Sequence, residues 1–197
     1  MNRPAHAPAA PPTLHLVDAS MYVFRAWHSM PDEFHDADGW PTNAVHGFAR
    51  FMLELLERER PGHLAIAFDE ALDSCFRNAL YPAYKANRDP APPELKRQFA
   101  WCKALCEAVG LATLAHSDYE ADDLIGSAAH RSRTSGFRSV IVSADKDFGQ
   151  LVDAARGRVE AQGRIVAAPG EGRRAGGGID LQVKKRHEPA GAVDVAR

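Results

Sequence analysis

Three short apolar runs in this chain each lead into an aspartate. Residues 13–17 (TLHLV) end on Asp18, residues 64–68 (LAIAF) end on Asp69, and residues 139–143 (SVIVS) run into Asp145 and Asp147. Runs this short and this continuously apolar read as strands buried on both faces, the pattern of a parallel sheet covered by helices. A further run, 111–115, is a candidate fourth strand. Between the runs the periodicity is helical. Val45, Phe48, Met52, Leu55 and Leu56 share one face of 43–60, which Pro61-Gly62 stops. Leu95, Phe99, Cys102, Leu105, Cys106 and Val109 do the same in 94–109, closed by Gly110, and 117–135 is closed by Gly136. Strands alternating with helices predict an α/β fold, a mostly parallel central sheet flanked by helices. Ligands bind beyond the carboxyl ends of such strands, so Asp18, Asp69 and Asp145 are expected to face one crevice.

The start of the 117–135 helix brings more acid. In SDYEADDLI, Glu120 and Asp123 are three apart and share a helical face, with Asp122 around the turn. Ser117 and Glu120 have capping-box spacing, and acids suit a helix N-terminus, which accounts for one or two of them. Capping does not account for strands that also end in Asp. Asp18, Asp69, Glu120, Asp122, Asp123, Asp145 and Asp147 are then candidates for one crevice. Like charges so gathered raise one another's pKa, and a bound divalent cation relieves the repulsion. An all-oxygen set favours magnesium or manganese, and no His/Cys spacing suggests zinc. Two such ions about 3.5–4 Å apart are an apparatus for cutting phosphodiesters. Lys146, between Asp145 and Asp147, is expected to turn away from both.

Residues 76–97 (FRNALYPAYKANRDPAPPELKR) hold Arg77, Lys85, Arg88, Lys96 and Arg97 against Asp89 and Glu94, with Tyr81 and Tyr84 interleaved. Cations for phosphates and rings for unstacked bases are what single-stranded nucleic acid needs. Tyr22 and Arg25, just after the first Asp, are candidates for the same surface. The net charge of −2 carries no such signal, so any basic surface has to be local. No segment is apolar and long enough to span a membrane, and residues 1–12 read as a flexible Pro/Ala leader. The three cysteines do not suggest a disulfide scaffold; Cys102 and Cys106 read as core, and a cytoplasmic setting is the default. Residues 153–197 are rich in Gly, Ala and Arg, lose apolar periodicity and read as a poorly ordered tail.

The stretches LHLVDASMYVFRAWH, AIAFDE, FRNALYPAYKANR, YEADDLIG and VSADKDFGQLV together resemble the 5′→3′ exonuclease family: the N-terminal nuclease domain of bacterial DNA polymerase I, phage flap nucleases and stand-alone relatives. They occur in the family's order across residues 13–152. The resemblance implies a PIN/resolvase-like nuclease fold and a metal-dependent enzyme, monomeric and nucleoid-associated, acting on DNA with free 5′ ends or flaps. By motif position, Asp18, Asp69, Glu120, Asp122 and Asp123 match metal-cluster acids. Asp145 and Asp147 match the acids of its second part, completing a site for two magnesium or manganese ions. Tyr84, Lys85 and Arg88 match the helical arch that meets the 5′ strand and the scissile phosphate, which makes Lys85 a catalytic candidate; Arg25 matches a basic position after the first Asp. In the family more sheet follows SADKDF, then a helix-three-turn-helix element that opens with Gly-Asp-x-x-Asp-Asn and grips duplex DNA. Nothing after Val152 matches that pattern, and Asp180 and Asp194 stand alone. A truncation or frameshift is expected, with the second ion and the duplex grip in question. The alternatives are a nucleic-acid-binding relic without catalysis, a PIN-like ribonuclease, and a phosphatase acting on small phosphate esters.

Overall fold

The TLHLV run forms a strand because every second side chain finds apolar cover on one face and the others find it on the opposite face. In the computed structural model, which describes residues 10–70, 75–87, 89–151, 157–161, 164–167 and 183–185, β1 (Thr13–Asp18) lies in the middle of the parallel part of the sheet. Its parallel neighbours are β2 (His63–Ala67), with Val17 opposite Ile66, and β4 (Arg138–Val142), with Val17 opposite Val142. β3 (Ala112–Leu114) extends β2 on the far side.

Alternation along the strands divides the core in two. Val17, Ile66, Val140 and Val142 point to one face, where they meet α1 (Ala19–Ser29), α2 (Asn43–Glu59) and α4 (Pro93–Ala108) through Tyr22, Val23, Phe48, Met52, Leu55, Phe99 and Cys102. Leu16, Ala67 and Ile141 point to the other face, against Ala121 and Ile125 of α5 (Ala121–Thr134) and Phe148 of a 3-10 helix (Lys146–Leu151). Fully burying a side chain such as Phe48, Leu16 or Ile125 contributes about 1.5–3 kcal/mol. Tyr22 belongs to this core, buried and stacked on Phe51 at 3.6 Å between centroids.

Three helices differ from the sequence reading. The segment after Asp18, to which the sequence reading assigns no element, is α1, whose N-cap is Asp18 itself. The helix expected from Ser117 starts at Ala121, with Glu120 as N-cap and the capping box closed by Asp123. The basic segment, expected to be irregular, contains a short helix, α3 (Phe76–Leu80), followed by turns.

The sheet also continues past the point where apolar periodicity fades. β5 (Gly157–Ala161) pairs in parallel with β4, and β6 (Arg164–Ala167) and β7 (Val183–Lys185) follow antiparallel, giving the order β3-β2-β1-β4-β5-β6-β7. The leader up to residue 9, Arg88, Val152, Asp180 and Asp194 lie outside the described residues. Among the described residues no helix is long and apolar enough to cross a membrane.

Candidate active site

Parallel strands bring their carboxyl ends to one edge, and the acids stand there. Asp18, the last residue of β1, is buried and held from two sides. Its Oδ1 accepts from the Met21 N–H at 3.2 Å and its Oδ2 accepts from the Ser143 hydroxyl at 2.8 Å. The same Ser143 oxygen accepts the Asp145 N–H at 3.0 Å, so one fully buried serine ties the end of β1 to the turn after β4. Asp145 Oδ1 accepts the Asp147 N–H at 2.8 Å. Asp69, just past β2, donates its N–H to Ser20 Oγ at 2.9 Å and accepts the Ala121 N–H at 2.6 Å through Oδ1, which joins β2 to the first turn of α5. Sequence reasoning misses Ser20 and Ser143; their only signal is a serine two residues from an acid, the spacing of a local side-chain turn.

Four of these acids feel one another. Burial pushes the Asp18 carboxyl up to about 6; the Ser143 and Met21 hydrogen bonds pull it back, and the Asp69 and Asp145 charges push it further up. Desolvation also pushes Asp122 up to about 6, followed by the charges of Asp18, Asp69, Asp145 and Glu120. Asp122 is exposed as a whole residue, so repulsion by its acid neighbours is the part that carries weight here. Among the described residues none of Asp18, Asp69, Asp122 and Asp145 forms an ion pair.

The other two acids of YEADD are occupied. The Arg77 guanidinium meets Asp123 with both terminal nitrogens, at 2.6 and 2.7 Å, and reaches Glu120 at 3.4 Å. Burial raises the Asp123 carboxyl, but the Arg77 hydrogen bonds outweigh it and hold the group below its ordinary value. Lys85 Nζ lies 2.6 Å from Glu120 Oε1, and the Tyr84 hydroxyl donates to Glu120 Oε2 at 3.1 Å. Burial alone would lower the Lys85 ammonium; the hydrogen bond and charge of Glu120 more than offset it and raise it. Lys85 adopts a left-handed backbone (φ 55), and Asn78 braces the turn by donating to the Tyr84 carbonyl at 2.9 Å. The basic segment is thus folded onto the acidic helix start. Arg77, in sequence only one member of a basic run, is its hub.

Not every candidate joins the cluster. Asp147 is exposed, and its charge is not among those that raise Asp18 or Asp122. Arg25 is exposed on α1 and forms no ion pair among the described residues. Lys146 is exposed and opens the 3-10 helix Lys146–Leu151. Among the described residues no three His, Cys, Asp or Glu side chains are gathered at the spacing of a metal cage. The quartet of Asp18, Asp69, Asp122 and Asp145 shares one field without converging on one point. Its chemistry nonetheless suits a hard divalent ion: all donors are carboxylate oxygens, and no cation among the described residues pairs with them.

A family model described as 5′-3′ exonuclease, N-terminal resolvase-like domain, matches residues 13–167, past Val152 where the motif resemblance ends. DNA polymerase I of Mycobacterium bovis is 41% identical over 144 residues, covering 73% of this chain and 16% of that protein. DNA polymerase I of Bacillus subtilis is 38% identical over 136 residues, covering 69% of this chain and 15% of that protein. The chain thus spans about one sixth of the length of these curated relatives. In fold, it is similar to phage T5 5′-exonuclease with bound zinc ions (TM-score 0.57, 21% identity, 76% of this chain and 55% of that one). It is equally similar to the phage T5 flap endonuclease in a pseudo-enzyme-product complex with DNA and metal ions (TM-score 0.57, 19% identity, 76% of this chain and 54% of that one).

Proposed function

The chain belongs to the 5′–3′ exonuclease family through its N-terminal resolvase-like domain, and on that premise we propose that it is a divalent-metal-dependent nuclease hydrolysing DNA phosphodiesters at free 5′ ends or 5′ flaps. The observation that carries this reading is the quartet Asp18, Asp69, Asp122 and Asp145: acids from three strand ends and one helix start that repel one another and have no cationic partner among the described residues. In the proposal these four hold magnesium or manganese, with Asp147 beside Asp145 the remaining candidate for a second ion. The ion supplies an activated water and a counter-charge for the leaving oxygen. Glu120 and Asp123 serve differently, holding Lys85, Tyr84 and Arg77 next to the ion-binding acids. The Lys85 ammonium is there to meet the non-bridging oxygens of the phosphate under attack. Arg25 and Arg88 remain the candidates for the DNA backbone.

The test offers the purified chain a 5′-flap DNA, a single-stranded RNA and a small phosphate ester, each with Mg2+ or Mn2+. Flap cleavage that disappears in Asp122→Ala supports the proposal. Cleavage of RNA alone would move the chain to the ribonuclease reading. A second reading, DNA binding without cutting, draws on the absence of a three-ligand cage among the described residues. Flap binding without product would establish it.

A further inference from the structure

The rim of the acidic crevice carries three aromatic side chains that belong to neither half of the core. Tyr119 directly precedes Glu120, and Phe76 directly precedes Arg77. Their rings lie 5.3 Å apart at 49°, and the His116 ring adjoins Tyr119 at 4.9 Å and 56°. Phe76 is 36% exposed and Tyr119 is 44% exposed. The Phe76 N–H donates to the Asp118 carbonyl at 2.9 Å, which pins the two loops together. One face of Phe76 is taken by the Arg77 guanidinium, 4.8 Å from the ring centroid. The rings thus touch one another and a cation already committed to Asp123, and they leave the outer surface of Tyr119 to solvent.

Single exposed aromatics need no explanation; a pre-assembled run of three beside an active site does. Its surroundings select the occupant. Asp118 is exposed on the same loop, and Glu120 and Asp122 follow at once, so a free anion is repelled here. An aliphatic or lipid partner would favour Leu and Ile over rings that carry hydroxyl and imidazole edges. What fits is a flat, uncharged π-system whose own charge sits a few ångströms away, toward Lys85 and the ion-holding acids. We propose that Tyr119, supported by Phe76 and His116, is a stacking platform for one unpaired nucleobase of the 5′ strand, next to the phosphodiester that is cut. This rests on the nuclease reading above and adds to it a base-contacting site. Stacking on a ring is tolerant of base identity, so the platform holds the strand without reading its sequence.

The experiment measures binding of the full chain to a 5′-flap DNA, by fluorescence anisotropy with Ca2+ as the divalent ion, using substrates in which one unpaired nucleotide at a time is abasic. The wild type should lose about 5- to 100-fold in affinity at one position, the range for stacking of a base on a ring. Tyr119→Ala should bind the intact and abasic flaps alike, and Tyr119→Phe should restore the preference. His116→Ala should weaken the preference while leaving the fold, checked by circular dichroism, unchanged. A Tyr119→Ala protein with the wild-type ratio overturns the platform while flap cleavage by the wild type leaves the nuclease reading standing. Absence of any flap binding by the wild type removes both. Self-association that Tyr119→Ala abolishes, with base preference unchanged, assigns the rings to a second copy of the chain and likewise overturns the platform.

Discussion

At the scale of single residues, the informative feature is which acids have partners. Asp18 ionises in the unfolded chain near the ordinary value of 3.8 but in the fold only at about 6. Between those values the folded state keeps a proton that the unfolded state has lost, so stability is intact below about pH 4 and falls as pH rises through 6. Holding the ionised form at pH 7 costs the fold on the order of 3 kcal/mol. Asp18→Asn, which can still cap α1, should therefore raise the melting temperature of the ion-free protein at pH 7 and leave it little changed at pH 4. An equal effect at both pH values would refute the shift. Asp123 is the opposite case. Its carboxylate is held by the two-pronged Arg77 contact, so Asp123→Asn should alter Mn2+ affinity less than about twofold, whereas Asp122→Asn should weaken it about tenfold or more; titration calorimetry distinguishes them. Arg77→Lys keeps the charge and loses the fork, at a cost of about 1–2 kcal/mol in urea unfolding for this partly exposed contact. Seven acids could be picked out as candidates from the sequence, but which of them are paired with protein cations could not. That division depends on Arg77, which is forty-six residues from Asp123 and marked by no local pattern.

At the scale of elements, the helices were legible where periodicity alone decides and illegible where a polar side chain completes a distant end. Periodicity puts Leu95, Phe99, Cys102, Leu105, Cys106 and Val109 on the buried stripe of α4; Val109 is 61% exposed, whereas Gln98, which the apolar period does not pick out, is fully buried. Gln98 Oε1 accepts the Ala44 N–H at 2.7 Å and the Val45 N–H at 3.2 Å, and its Nε2 donates to Asn43 Oδ1 at 3.0 Å. It caps α2 from another helix, where the Thr42 side chain makes no capping bond of its own. Gln98→Leu preserves volume and strands these groups, so urea unfolding should show a loss of about 1–3 kcal/mol for each buried group left unpaired. No loss would mean that water or a neighbour replaces it. The α1–α2 crossing is equally hidden. A Cβ on Gly47 would stand 2.7 Å from Ala26 Cβ and 2.9 Å from Met30 Cγ, so the two helices meet there because the side chain is missing. Gly47→Val should lower the melting temperature even though it removes a helix-weakening glycine. α1 itself escapes a reading of the sequence because its N-cap, Asp18, looks there like a site candidate rather than a helix start.

At the scale of the whole molecule, architecture and site have one cause. Buried parallel strands must end together, and whatever follows them is delivered to the same edge; this is why the α/β class and the crevice could be read from three runs of five residues. The later strands β5, β6 and β7 could not, because Gly- and Arg-rich sequence carries no apolar period, and a strand pairing with an existing edge needs none of its own. The shared edge also makes the fold and the ion linked quantities. Four like charges at or just beyond the ends of β1, β2 and β4 and at the start of α5 push apart the elements that the core holds together, and a cation among them should bind the folded chain and not the unfolded one. Folding stability should then rise with ion concentration as RT ln(1 + [ion]/Kd), about 2.7 kcal/mol at one hundred times Kd. The sign of the pH dependence follows from Asp18 and Asp122, both raised to about 6. At pH 7.5 they are ionised and repel, so Mn2+ should raise the melting temperature strongly. At pH 5 protons already occupy them, so the same ion must displace protons and should raise it little. Scanning calorimetry at the two pH values, with and without Mn2+, measures the linkage directly. A melting temperature indifferent to Mn2+ at pH 7.5, or raised equally at pH 5, would show that the acids at the strand ends do not act as one ion-binding set.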